Sequence, residues 1–321
     1  MIVDDSTTSN SADSYTQLET RFSIAKNAIE NSQDNGEHAL RQFLQVLGNR
    51  LTDFRIDRPD ATLLDVRVLA ALADMKLCRD HFVEILRVIC ELDKPGPFLD
   101  MLQQFIGQTI ALKRAPRDII HFNHLWCDHY RFFVRELFLY TIAYLIRQQR
   151  FEEAAAFIRA EYSYPTPTGT ATCDYREFDA YIKCLDEFRA RRIGKKRLSL
   201  SADELRNRAD LPFVNFDDIM QADFILCIYG LLHRPQALTH WFPRTVVYAE
   251  PYEQRGFDLF FRAQSKSFFA TIALLLEVRD KTELLDLFET ARRQCRLDQW
   301  KIGAAPIPFA SYMGLSALAT T

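Results

Sequence analysis

Between Leu137 and Ile146 the chain reads LFLYTIAYLI, with no charged side chain and no polar face. A helix that is apolar all the way round must be enclosed by protein on every side, so this stretch predicts the centre of a large core. It is roughly half as long as the ~20 residues needed to cross a bilayer, and Arg135 and Glu136 stand directly before it. Burial in protein, with no membrane partner, is the reading that follows.

What surrounds that core is narrowed by composition. Only 10 glycines and 12 prolines occur in 321 residues, too few for the turns of sandwiches and barrels or the phosphate loops of doubly wound sheets. Hydrophobic residues make up 48% and aromatic ones 12%, ample material for burial. The expected class is therefore all-α, an irregular array of packed helical hairpins. At most one short β-strand or hairpin is expected, near 244–249, where RTVVYA has a β-branched and aromatic run. A net charge of −3 predicts no general attraction to nucleic acid or acidic membranes, so binding of that kind would need a local patch. The seven cysteines are scattered, and Cys78, Cys90, Cys127, Cys184 and Cys227 fall in apolar helical segments. They read as reduced core thiols in a cytoplasmic protein.

Punctuation along the chain divides it into a disordered tail at 1–14, a helical domain at 15–162, a loop at 163–174, a second helical domain at 175–302 and an irregular tail at 303–321. Leu18, Phe22, Ala25 and Ile29 set the first helical stripe, and Leu40, Phe43, Leu47 and Leu51 the second. A helix from Ala61 to about Met75 is expected to form a hairpin with Asp80–Leu92, and KPGP at Lys94–Pro97 is a firm stop. SYPTPTGTATCD at 163–174 offers no periodicity and reads as the loop. Ser201 to Glu204 has the form of a capping box, and Asn215 and Asp218 repeat it before an apolar helix at Ile219–Leu232.

AYLIRQQRFEEAAAFI at Ala143–Ile158 and ALLLEVRDKTELLDLF at Ala273–Phe288 share one design, an apolar helix, a charged turn and an amphipathic helix. The first resembles the helical hairpins of tetratricopeptide-type repeats, with Ala143, Ala154 and Ala155 as small packing residues. The resemblance covers one hairpin and the turns do not recur at a fixed interval, so it implies stacked hairpins and no repeat family.

Three constellations could carry chemistry. His121, His124, Cys127 and Asp128 form the densest set of metal-ligand types, with His121, His124 and Asp128 on one side of a helix. A single element rarely supplies a closed metal site, and histidines at the end of a partly buried helix are the commoner explanation. The basic run Arg189, Arg191, Arg192, Lys195, Lys196 and Arg197 lies just before a helix amino-terminus and could hold a phosphate, a nucleic-acid backbone or an acidic partner. Solvated surface is the competing explanation. Trp241, Tyr248 and Tyr252 lie in an irregular aromatic segment, and such residues are enriched at protein interfaces, although core filling accounts for aromatics more often.

An arginine followed a few residues on by a histidine resembles the motif of the HEPN ribonucleases, and Arg114–His121 and Arg234–His240 have that spacing. Pro116 and Pro235 interrupt them and the polar residue after the arginine is absent, so neither is read as catalytic. No nucleotide-loop, nucleophile-elbow, paired Cys-x-x-Cys or calcium-loop pattern occurs, and no cofactor is expected. Asp223 lies deep in an apolar helix and reads as a buried hydrogen-bonding residue. The function expected is that of a non-enzymatic interaction, scaffold or sensor subunit with a protein partner, with a defence-type assembly as its guessed context. The alternative is a nucleic-acid or phosphate-ligand binder using 189–197, in the setting of a nuclease complex.

Overall fold

The helical periodicity becomes a succession of helices in the computed structural model, which describes residues 6–56, 63–115, 122–194 and 198–321, with side chains from residue 14. In chain order the main elements are α1 (Ser6–Glu30), α2 (Gly36–Thr52), α3 (Leu64–Cys90), α4 (Gly96–Thr109), α5 (Asp128–Arg147) and α6 (Phe151–Arg159). A hairpin of β1 (Tyr162–Thr166) and β2 (Gly169–Cys173) follows, then α7 (Ala190–Ile193), α8 (Leu200–Arg208), α9 (Phe216–His233), α10 (Asp258–Arg262), α11 (Lys266–Leu275) and α12 (Lys281–Gln294). The two-residue strands β3 (Lys301–Ile302) and β4 (Ala305–Pro306) and the short α13 (Phe309–Tyr312) close the chain. No helix among the described residues is long and apolar enough to cross a membrane.

The chain divides into two compact units, one of residues 1–137 with 162–172, the other of 138–161 with 173–321. In the first, α1 packs on α2 and α3 through Leu18, Ala25, Ile29, Leu40, Phe43 and Leu47, all buried. The stripe spacing of the sequence is thus the buried face. Strand β1 lies against α4, where a Cβ on Gly107 would stand 3.0 Å from the Ser163 carbonyl oxygen. A larger residue here would push the strand away by a few tenths of an ångström.

The hairpin expected at 61–92 is instead the single helix α3; of it, residues 61 and 62 lie outside the described residues. The charged stretch Lys76 to Asp80, which looks like a turn, contains no glycine or proline and its charges support the helix. Lys76 Nζ donates to Asp80 Oδ2 at 2.7 Å, one turn on, and the fully buried Arg79 donates to Asp80 Oδ1 at 2.6 Å and Glu136 Oε1 at 3.3 Å. A buried guanidinium with two carboxylates is tied into the core and ends nothing.

Helix α5 supplies both units, and Leu137–Leu145 are all buried, as an apolar-all-round stretch requires. In the second unit Phe138 stacks on Phe178 with ring centroids 4.4 Å apart, and the Tyr140 hydroxyl donates to the Arg208 carbonyl at 3.0 Å. The two similar hairpins end their first helices in one way. Gln149 (φ 59°) and Glu277 (φ 54°) are left-handed, with Arg150 N–H bonded to Leu145 O and Val278 N–H to Ala273 O. These are Schellman-type caps, formed here without glycine. Asn215 and Asp218 form the expected capping box of α9.

Four local expectations differ from what is found. The stretch 244–249 is no strand: Arg244–Tyr248 form a 3-10 helix, because Thr245 is tied to the Asp223 carboxylate through both its N–H and its hydroxyl. The loop expected at 163–174 holds the β1–β2 hairpin. Residues 1–5 of the expected tail lie outside the described residues, and from Ser6 the chain is already helical. Helix α8 is capped by Ser199, whose oxygen accepts from Ala202 N–H, since Ser201 is bonded to Asp186.

Candidate functional site

The metal-ligand constellation is not assembled among the described residues. His121 lies outside them, His124 is exposed on a 3-10 turn, and Cys127 and Asp128 are buried. Asp128 Oδ1 accepts from Arg131 at 3.2 Å, and burial pushes the Cys127 thiol up to about 11, so it stays protonated. Among the described residues no group of three His, Cys, Asp or Glu side chains could hold a metal ion. The seven cysteines are free thiols, five of them buried.

Two of the three aromatic residues expected at an interface, Trp241 and Tyr252, belong to the interior of the second unit. Trp241 is fully buried and donates its indole N–H to Asp223 Oδ1 at 2.7 Å; Tyr252 is buried against Phe257, with ring centroids 4.8 Å apart. Tyr248, half-buried, donates its hydroxyl to Asp203. An irregular backbone here does not mean a bare surface, because α9 offers Asp223 as a buried acceptor around which the segment folds.

The basic run leads to a more informative place. Lys195, Lys196 and Arg197 lie outside the described residues. Arg189 ends a π-helical turn at Cys184–Arg189, Arg191 and Arg192 belong to α7, and Arg191 pairs with Glu187 at 3.3 Å. Immediately after the run, Leu198 and Ser199 form one wall of a cavity of about 450 Å³ in the second unit. Tyr181 and Asp186 face it from the π-helical side, Phe242 and Arg244 from the 3-10 segment, and Lys301 and Gly303 from the β3–β4 turn.

Arg244 is the unusual member of this set. Its side chain is 15% exposed, and burial holds its pKa below the ordinary guanidinium value. Nε donates to the Ala180 carbonyl at 3.1 Å, and the guanidinium carbon lies 5.3 Å from the Tyr181 ring centroid and 5.6 Å from that of Phe242. Two of the carboxylates around it, Asp186 and Asp223, are engaged by other donors. Asp186 accepts from Ser199 Oγ, Ser201 N and Ser201 Oγ at 3.2, 2.9 and 2.7 Å, and Asp223 from Trp241 and Thr245. Asp179 accepts from Phe242 N–H at 3.0 Å through Oδ2, and its Oδ1 stands 3.8 Å from Arg244. The cation thus lies between two rings at the edge of a cavity, with no close bidentate partner among the described residues.

Arg244, Lys301 and Ser199 were not singled out by motif. A basic residue in an aromatic segment, directly after Pro243, is the signal that could have found Arg244.

The second arginine–histidine pair is in place but does not act as a pair. Arg234 bonds Asp174 at 3.1 Å, beside Arg176, while His240 Nε2 stands 3.8 Å from Cys295 Sγ. Burial, then the charge of Arg176, lowers the His240 pKa, and burial raises the Cys295 thiol. Both groups are therefore neutral near pH 7, the opposite of the thiolate–imidazolium pair that nucleophilic catalysis uses.

Compared with protein-family models, curated proteins and solved structures, the chain matches none.

Proposed function

We infer that this is a non-enzymatic helical binding protein that takes a phosphate ester in the cavity lined by Ser199, Arg244 and Lys301. The observation that carries the reading is Arg244 itself, a guanidinium whose ion pair with Asp179 is a long one at 3.8 Å, which has no close bidentate carboxylate among the described residues and faces a space large enough for a ligand headgroup. A planar fork of N–H donors fixed by flanking rings matches phosphate oxygens, and Lys301 adds a second positive charge. The basic residues 189–197 precede this wall in sequence and would raise the local concentration of anions. Concavity favours a terminal phosphate over a continuous strand, which would need an open groove.

The test is an electrophoretic shift with one oligonucleotide, with and without its 5′-phosphate, competed by a free nucleoside monophosphate. Binding only of the phosphorylated strand identifies the strand terminus as ligand, and competition by the monophosphate identifies the headgroup. Equal binding of both strands would replace this site with a general backbone surface.

A partner protein is the second reading, favoured by Leu238, fully exposed in the segment between α9 and Trp241. A large apolar side chain standing clear of the surface is a typical anchor for a partner's pocket. Loss of an isolated complex on Leu238→Asp, with the fold intact, is the result that reading predicts.

A further inference from the structure

The first unit contains a separate cavity of about 360 Å³, lined by Thr52, Arg55 and Ile56 at and after the end of α2, Ala111, Leu112, Arg114 and Ala115 after α4, and Phe122, Trp126, Cys127 and Tyr130. It does not depend on the reading given for the second unit. From the chemistry of these walls we propose that it is a binding site for a small planar aromatic carboxylate.

Charge comes first. Arg55 and Arg114 both line the cavity, and among the described residues no carboxylate lines it. The other polar side chains do not offset this. Cys127 is held as the neutral thiol by burial, and the Tyr130 hydroxyl is committed to the Leu51 carbonyl at 2.7 Å, so Tyr130 offers its ring. An anion is the ligand this favours. Arg114 is also oriented: its Nη2 donates to the Tyr164 hydroxyl at 2.8 Å and its guanidinium carbon lies 4.6 Å above the centroid of that ring. A tethered guanidinium presents its fork in a fixed direction and loses little freedom on binding.

Shape and apolar character come next. Phe122 and Trp126 meet at 80° with centroids 6.1 Å apart, so their faces and edges form a corner. Ile56, Leu112 and Ala111 supply aliphatic surface. A flat ring against such a corner makes both stacked and edge contacts, which a flexible chain does not. The volume is near the lower end of ligand cavities, about 300–1,000 Å³, and limits the ligand to one or two fused rings with a short acidic arm. Both half-exposed aromatics are large apolar surfaces that a bound ring would cover.

The test is calorimetric titration of the full chain with 2-naphthoate, beside its neutral counterpart 2-naphthalenemethanol and the flexible acid octanoate. Naphthoate is expected to bind at least about tenfold more tightly than either, the factor expected for one charge-assisted contact. Arg114→Met and Arg55→Met should each weaken it by about tenfold and leave naphthalenemethanol unchanged. Ala111→Phe, which fills the cavity and leaves both arginines in the sequence, should abolish binding of both ring compounds while helical circular dichroism is retained. Arg244→Met in the other unit should have no effect, which separates this site from the phosphate reading. Octanoate binding as well as naphthoate, or naphthoate binding unaltered by the arginine and cavity-filling variants, would overturn the proposal.

Discussion

Trp241 donates its indole N–H to the Asp223 carboxylate at 2.7 Å, and both residues are fully buried. The second oxygen of Asp223 accepts from the Thr245 amide at 2.9 Å and the Thr245 hydroxyl at 2.8 Å. One carboxylate on α9 thereby fixes the irregular chain that carries Arg244. Asp223→Ala leaves three donors without this acceptor and should cost about 3–5 kcal/mol. Asp223→Asn, which keeps one acceptor oxygen, should cost less than half as much. Urea unfolding monitored by Trp fluorescence checks this: a loss below about 1 kcal/mol for the alanine variant would show that the network does not organise the segment.

Gln149 holds φ at 59° in the cap of α5, a conformation that costs a residue with a side chain about 1 kcal/mol and glycine almost nothing. Its side chain is exposed. Gln149→Gly is therefore expected to raise stability by up to about 1 kcal/mol, in the opposite sense to glycine elsewhere on a helix. A lowered melting temperature would mean that the side chain makes a contribution larger than the backbone strain.

Burial of the His129 ring pushes its pKa down to about 4. The folded state favours the neutral ring, so the unfolded chain binds more protons between pH 6.5 and 4. The contribution is complete above about pH 6.5 and is lost as pH falls towards 4, by about 3 kcal/mol in all. Replacing the ring, as in His129→Leu, should flatten the stability profile across that window relative to the native chain. Parallel profiles for the two proteins would remove His129 as the cause.

The sequence declares its core more clearly than its surface. Leu137–Leu145 is buried because nine residues in succession with no charge and no polar face allow no other helical arrangement, and the Asn215–Asp218 box is a local code that needs no tertiary partner. The misread places are those where a distant group decides. Arg79 looks like part of a turn until Glu136, 57 positions away, is beside it, and α3 then runs straight through. For Trp241 and Tyr252 the sequence leaves interface and core filling both open because the segment has no period, and it is Asp223 and Phe257 that decide for the core. The site divides in the same way. A run of basic residues is visible at 189–197, but the cavity beside it depends on Arg244 and Lys301, separated from the run by several elements.

The central claim is tested most directly by the calorimetric isotherm of inorganic pyrophosphate, measured on the native chain, Arg244→Met, Arg244→Lys and Arg279→Met. Arg279 is a surface control in the same unit, 84% exposed and paired with Glu283. Loss of the Arg244 fork should weaken binding by about 10–100-fold, with Arg244→Lys between the two and Arg279→Met unchanged. Equal affinities for native and Arg244→Met proteins would contradict the account and return the anion to the exposed basic residues.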